Sequence, residues 1–127
     1  MNRERLKTFI LENYDSSCDM PWSKYPSYEV FRRADNKKWV AVVMDVPENR
    51  LGLNGDKIRH VVNLRCGSTL TGVFLEKDGY FPAYHMNKEY WITAEYNVVS
   101  DDELKMLINV SYESAAIKKR NRRFCQD

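Results

Sequence analysis

The longest apolar stretch of the chain runs from Trp39 to Met44 and is rich in valine. β-Branched residues favour extended backbone, and a segment that is apolar on both faces is typical of a strand buried in the middle of a sheet. Its six residues are far fewer than the ~18 that a membrane span requires. Pro47 cannot donate a ladder hydrogen bond and is expected to end the strand. The chain is therefore expected to fold around an internal β-strand.

Periodic patterns on either side of this run predict four more strands and three helices. Alternating or β-branched segments are typical of strands, and apolar residues at i, i+3 and i+4 are typical of helices. The strands are predicted at residues 28–33, 60–65, 80–84 and 90–96, and the helices at residues 2–13, 68–77 and from 101 onward. Ser100 and Glu103 are spaced as a capping box, in which each side chain binds the other residue's backbone amide.

This order of elements predicts an α+β fold. Three strands and then two strands, with helices before, between and after them, favour an antiparallel sheet with helices on one face. The 127 residues suit a single hydrophobic core. We expect a two-layer sandwich with a five-stranded sheet over residues 1–117, followed by a basic tail over residues 118–127.

The net charge of +2 is unevenly distributed. The last ten residues hold five basic residues and one acid, a net +4, so residues 1–117 carry −2. A domain that binds duplex DNA normally carries its positive charge on the folded surface that meets phosphate. The charge of the body alone therefore does not indicate such a surface.

The usual enzyme and metal motifs are absent from the sequence. The three cysteines, Cys18, Cys66 and Cys125, form no CxxC pair, and there is no HExxH motif or phosphate-binding glycine loop. His60 and Cys66 would lie about 20 Å apart along one strand, too far for a catalytic pair. We therefore expect no enzyme activity, no catalytic residues, no metal and no cofactor.

The first residues of the chain, 1–5, lead into no apolar signal core. A cytoplasmic protein with three reduced thiols is the corresponding expectation, with no membrane association. The sequence does not indicate an oligomeric state.

The segment Gly79 to Ile92 resembles the motif of the MmcQ/YjbR family. That family typically shows the run G-x-x-P-A-Y-H-M-N-K-x-x-W, and this chain has GYFPAYHMNKEYWI. The likeness extends over about residues 21–114. One departure is Cys66-Gly67-Ser68, where relatives often carry Cys-Asp-Pro, and this makes the start of the middle helix uncertain.

The resemblance implies a fold and, less firmly, a function. The family fold is an α–β(3)–α–β(2)–α two-layer arrangement, similar to type III secretion chaperones and compared with frataxin-like CyaY. Members are commonly labelled DNA-binding because of a proposed double-wing similarity. Fold analogy of this kind is an associational argument.

Four residues of the motif, with Arg65, are the candidate binding site. His85, Asn87, Lys88 and Trp91 offer an imidazole, two donors to phosphate or carboxylate, and a face on which a base could stack. In the alternative interpretation, Asn87 and Lys88 shape a turn, His85 satisfies a backbone group and Trp91 packs in the core. A pocket in which His85, Lys88 and Arg65 converge would favour a small-ligand site.

The basic tail also has two interpretations. Its cations, at Lys118, Lys119, Arg120, Arg122 and Arg123, either contact phosphates or extend the solvated end of the last helix. If the tail alone contacts duplex DNA, the logarithm of affinity should fall with the logarithm of salt at a slope of about −4 to −5. Deletion of the tail should then remove most of that slope.

The leading hypothesis is a non-enzymatic domain of the MmcQ/YjbR type that binds nucleic acid, with DNA as the first candidate partner. The alternative is a protein-interaction or chaperone-like module that binds another protein. A small-ligand-binding protein is the third hypothesis.

Overall fold

The computed structural model describes residues 1–116. Three helices and six strands follow one another in these bounds: α1 Arg3–Asn13, β1 Ser16–Asp19, β2 Glu29–Arg33, β3 Trp39–Pro47, β4 Ile58–Arg65, α2 Gly67–Phe74, β5 Tyr80–Pro82, β6 Trp91–Glu95 and α3 Asp101–Ser114. A 3-10 turn, Glu48–Leu51, lies between β3 and β4. No helix within this part of the chain is long and apolar enough to cross a membrane.

The strands form one antiparallel sheet in the order β1-β2-β3-β4-β6-β5. The predicted central strand is confirmed, because β3 pairs with β2 on one side and β4 on the other. As predicted, the strand ends at Pro47, which is the last residue of β3 and lies opposite Ile58. The α+β class is thus confirmed, with all three helices contributing to the core on one face of the sheet.

The predicted count of five strands is wrong, because the sheet has six. The additional strand, β1, is made of Ser16, Ser17, Cys18 and Asp19, which the sequence analysis did not assign to any element. These residues pair with β2 at the edge of the sheet, from Ser16 opposite Arg33 to Asp19 opposite Val30. Polar residues with weak strand propensity are held here by the ladder of the neighbouring strand, a tertiary contact that overrides local preference.

Two apolar clusters lie on opposite faces of the sheet. The larger one packs the helices against the sheet and includes Leu6, Leu107 and Leu64, none of which has any exposed surface. The smaller one is built from alternate residues of the same strands, among them Val42 and Met44. Among residues 1–116, no α-helix covers this second face. Aromatic side chains from loops and from the strands β3 and β5 pack on it instead: Trp22, Tyr28, Trp39, Phe81 and Tyr84.

Only one of the two hydrogen bonds predicted for the capping box at the N-terminus of α3 is formed. The Ser100 hydroxyl accepts a hydrogen bond from the Glu103 amide at 3.3 Å. The Glu103 carboxylate does not return to Ser100, because it accepts from the Lys77 ammonium at 2.6 Å and from the Tyr80 hydroxyl at 3.0 Å. The predicted reciprocal bond is therefore replaced by contacts that tie α3 to the start of β5 and to the turn before it.

Candidate functional site

An aromatic cavity of about 240 Å³ opens on the helix-free face of the sheet. Its lining comes from two loops and two central strands: Trp22, Tyr25, Tyr28, Trp39, Val42, Met44, Asn63, Tyr84, His85 and Met86. The volume is below the ~300–1,000 Å³ of pockets for drug-sized ligands. The cavity therefore suits one flat ring system rather than a large molecule.

One wall of the cavity is a short loop between β1 and β2. Two turn hydrogen bonds shape it, from the Tyr25 amide to the Trp22 carbonyl at 3.2 Å and from the Tyr28 amide to the Tyr25 carbonyl at 3.0 Å. The Tyr25 and Tyr28 rings stack with centroids 4.7 Å apart. Trp22 meets the Trp39 ring edge to face at 5.7 Å. Because these rings hold one another in place, the wall is preformed.

The hydroxyl of Tyr28 on this wall is harder to ionise than that of an exposed tyrosine. Tyr28 is partly buried against the sheet, and the removal of water raises the pKa of its hydroxyl above the usual value. The hydroxyl, which is neutral near pH 7 in any case, therefore stays neutral further into the alkaline range.

The floor of the cavity carries one buried amide. Asn63 is only 1% exposed and lies on β4, surrounded by apolar and aromatic residues. Its Nδ2 donates to the Tyr84 carbonyl at 2.8 Å, and its Oδ1 accepts from the Thr93 hydroxyl. The same hydroxyl accepts from the Tyr84 amide at 3.0 Å. Asn63 and Thr93 therefore fix both the floor and the start of the loop that follows β5.

Two depressions adjoin the cavity, and each carries two cations. One shares Tyr25, Tyr28 and Tyr84 with the cavity and is also lined by Lys24 and Arg50. The other shares Trp39 with it and is lined by Lys38 and Arg65. We call the cavity and the two depressions together the open-face groove.

The four cations of the groove are unpaired with acids. None of them forms a salt bridge with a carboxylate of residues 1–116. Asp45 also lines the Lys24/Arg50 depression, but its carboxylate lies 2.7 Å from His60 Nδ1 and 3.8 Å from Arg3. The groove therefore has aromatic rings at its centre and available positive charge at both ends.

The predicted donors Asn87 and Lys88 are engaged within the protein. The Lys88 ammonium donates to the Ala83 carbonyl at 2.9 Å. The Asn87 side chain accepts from the Glu89 amide at 2.8 Å, and its carbonyl accepts from the Trp91 amide at 2.9 Å. These contacts correspond to the turn-shaping interpretation of both residues.

The other predicted site residues do not converge. His85 lines the cavity with its ring centroid 3.9 Å from that of Tyr84, and its backbone is left-handed with φ of 62°. Arg65 lies over the Tyr90 ring at 5.3 Å and lines the neighbouring depression. Trp91 is 6% exposed, so little of its ring is available for stacking. The tail cations from Lys118 to Arg123 lie outside the described residues.

The aromatic residues that build the cavity were not predicted as a site from the sequence. Trp22 and Tyr25 fall in a predicted loop, and Tyr28 and Trp39 fall in predicted strands. Only the antiparallel pairing of β2 with β3 brings these segments to one side of the sheet. The sequence does contain one signal, since these aromatic residues cluster around two prolines in a segment with few other apolar residues.

Within residues 1–116, neither a metal-binding cluster nor a cysteine thiol lines the groove. Among residues 1–116, no group of three or more His, Cys, Asp or Glu side chains is placed to hold a metal ion. Cys18 and Cys66 are both free thiols, and Cys66 is buried with its sulfur 3.2 Å from the Thr71 hydroxyl.

The family model described as YjbR matches residues 11–114. The chain belongs to the YjbR family. A relative in Bacillus subtilis, the protein YyaQ, is 37% identical over 93 residues, which are 73% of this chain and 79% of YyaQ. YyaQ is described as uncharacterised.

Solved structures of other proteins have the same fold as this YjbR domain. A crystal structure of a Pseudomonas syringae protein is 42% identical with a TM-score of 0.86, and the match covers 91% of this chain and all of that one. A solution NMR structure from the same organism is 39% identical with a TM-score of 0.81, covering 98% of this chain and all of that one. The Deinococcus radiodurans protein DR2400, 18% identical with a TM-score of 0.66 over 86% of this chain and 74% of that one, is similar in fold.

Proposed function

We propose that this YjbR domain is a non-enzymatic module that binds single-stranded nucleic acid along the open-face groove, with one unpaired base in the aromatic cavity. The observation that carries the proposal is the arrangement of the groove, in which aromatic rings occupy the centre and unpaired cations occupy both ends. Proteins that bind single strands combine a positive groove along the backbone with aromatic side chains on which bases stack.

The shape of the cavity favours an unpaired base over a duplex. A base inside a double helix is stacked on both faces and cannot enter a recess of about 240 Å³. The rings of Trp22, Tyr28 and Tyr84 would instead surround a base that is turned out of the strand. Stacking of one base on an aromatic side chain contributes ~1–3 kcal/mol.

The charge pattern is consistent with a strand that crosses the cavity. Lys24 and Arg50 lie at one end of the groove, and Lys38 and Arg65 lie at the other. Phosphates on either side of the inserted base would reach one pair each. The slightly negative net charge of the body does not oppose this arrangement, because phosphates near the surface respond to the local potential of the groove.

Fluorescence anisotropy with a labelled 12-nucleotide single strand and with the matching duplex tests the proposal. We expect tighter binding to the single strand, and a loss of about tenfold for Tyr25→Leu, which removes a ring that is 50% exposed. Met106→Ala, a change at an exposed residue of α3, serves as the matched control and should change the affinity by less than twofold. Equal affinity for strand and duplex, or equal effects of the two substitutions, would contradict the proposal.

A small flat molecule is the second candidate ligand. The specific observation in its favour is the recess itself, which has a volume of about 240 Å³ and is lined by the aromatic rings of Trp22, Tyr25, Tyr28, Trp39 and Tyr84. In that case ring binding would occur without any measurable affinity for oligonucleotides.

A further inference from the structure

The amide of Asn63 has more hydrogen-bonding capacity than its protein neighbours use. It is 1% exposed, and a buried polar group that lacks a partner destabilises the protein. An asparagine amide carries two N–H donors, and the protein accepts only one of them, through the Tyr84 carbonyl. Within residues 1–116 no acceptor is found for the second N–H.

The orientation of the amide follows from its neighbours. The Tyr84 carbonyl can only accept, so the group that faces it at 2.8 Å must be the NH₂. The Thr93 hydroxyl already accepts from the Tyr84 amide, so its own hydrogen is directed to Asn63 Oδ1. A flipped amide would place two acceptors face to face at Tyr84. The spare donor is therefore fixed on the Nδ2 atom.

The spare donor belongs to a residue that lines the aromatic cavity. The residue opposite Asn63 on β3, Val42, is apolar and offers no acceptor, and the thioether of Met44, which also lines the cavity, is only a weak one. A ring that fills the cavity without an acceptor atom would leave the spare N–H without a partner. A ring that brings an acceptor would instead form a hydrogen bond in a low-dielectric setting, where such bonds are strong.

We propose that Asn63 determines which rings the cavity accepts, by donating its second amide hydrogen to an acceptor atom on the ring edge. The ligand class is a flat heteroaromatic ring with a ring nitrogen or carbonyl acceptor, as in a nucleobase, and all-carbon aromatic rings are disfavoured. The inference deepens the proposed function, since it concerns the same cavity, but it requires no phosphate contact.

Quinoline and naphthalene are suitable probes because they have the same shape and differ by one acceptor nitrogen. Binding to the full chain is followed by NMR, through the backbone resonances of the cavity and the two side-chain amide hydrogens of Asn63. We expect quinoline to bind about tenfold more tightly than naphthalene, and to shift one of the two Asn63 amide hydrogens downfield. Equal affinities, or an unmoved Asn63 amide, would overturn the inference.

Two variants test the donor. Asn63→Leu removes the donor and should abolish the preference for quinoline. Met106→Ala, at an exposed residue of α3 outside the cavity, keeps the donor and its neighbours, so the preference should remain. If Asn63→Leu fails to fold, the comparison of quinoline with naphthalene on the unaltered chain still tests whether the cavity prefers a ring with an acceptor.

These experiments distinguish a failure of the inference about Asn63 from a failure of the proposed binding of single strands. A preference for quinoline without oligonucleotide binding would support the role of Asn63 and overturn the single-strand proposal. Oligonucleotide binding without binding of either ring would overturn the role of Asn63 alone.

Discussion

The ammonium of Lys88 lies 2.9 Å from the carbonyl oxygen of Ala83 and closes the loop that forms one wall of the aromatic cavity. Ala83 is fully buried, so water does not readily replace the lysine as a partner for its carbonyl. The loop between the two residues carries Tyr84, His85 and Met86, all of which line the cavity. Lys88 therefore positions the wall of the site rather than reaching a ligand itself.

Replacement of Lys88 by methionine should destabilise the protein. The substitution keeps most of the aliphatic stem and removes the donor, so we expect a loss of ~1 kcal/mol in the free energy of unfolding. In a domain of this size that loss corresponds to a fall of about 4 °C in melting temperature. Lys24→Met, at an exposed lysine of the same face, should stay within ~0.5 kcal/mol of the unaltered protein. Calorimetry of both variants checks the difference, and equal stabilities would contradict a structural role for Lys88.

Replacement of Ser111 on α3 should destabilise the protein much more than replacement of Lys88. Its fully buried hydroxyl donates to the Val40 carbonyl at 2.5 Å and accepts from the Arg65 amide at 3.0 Å. Ser111→Ala leaves two backbone groups of adjacent central strands without this partner, and we expect a loss of about 3 kcal/mol. Ser114→Ala, which removes a hydroxyl bonded only within the helix end, should cost less than ~1 kcal/mol. Urea denaturation of the two variants measures the contrast.

The carboxylate of Glu103 should make stability depend on pH in the acid range. Its hydrogen bond with Lys77 holds the pKa of the carboxyl below its usual value. A carboxyl with a lowered folded-state pKa stabilises the protein above its unfolded-state pKa, and this contribution is lost as pH falls through the folded-state value. The difference in melting temperature between the unaltered protein and Glu103→Gln should therefore be largest near neutral pH and should shrink below about pH 4. A difference in melting temperature that stays constant across the pH series would contradict this role of Glu103.

The fold was predictable from the sequence wherever burial is periodic. Trp39 to Met44 can be buried on both faces only in a central strand, and Leu104, Leu107 and Ile108 can share a face only in a helix. The strand Ser16–Asp19 was not predictable in this way, because its formation depends on the ladder of β2 rather than on its own side chains.

The candidate site was harder to predict, because a motif identifies unusual residues without showing what they contact. Asn87 and Lys88 stand out in the sequence and shape the loop, whereas Asn63 lies inside an ordinary strand and carries the spare donor.

The net charge of the sequence also did not indicate where the cations of the groove lie. A sum of −2 over residues 1–117 does not show that Lys24 and Arg50 line one depression beside the cavity and Lys38 and Arg65 line another, while many acids are paired elsewhere.

The salt dependence of binding should locate the phosphate contacts. If the four cations of the open-face groove each neutralise one phosphate of a single strand, they should contribute about −3 to the slope of the logarithm of affinity against the logarithm of salt. The double substitution Lys24→Gln and Arg50→Gln should make the slope less steep by about 1.5. Glu12→Gln, on the opposite side of the molecule on α1, changes charge without touching the groove and should leave the slope unaltered.

Truncation after residue 117 distinguishes the groove from the basic tail. Ala115 lines the Lys38/Arg65 depression, and Lys118 follows only three residues later, so the tail can add phosphate contacts to those of the groove. Because the four groove cations remain in the truncated chain, we expect it to retain a slope of about −3 with single strands, while the full chain shows a steeper one. Anisotropy titrations of both chains between 50 and roughly 300 mM salt measure this. A slope near zero after truncation would place the phosphate contacts on residues 118–127 and would remove the groove as the nucleic-acid site.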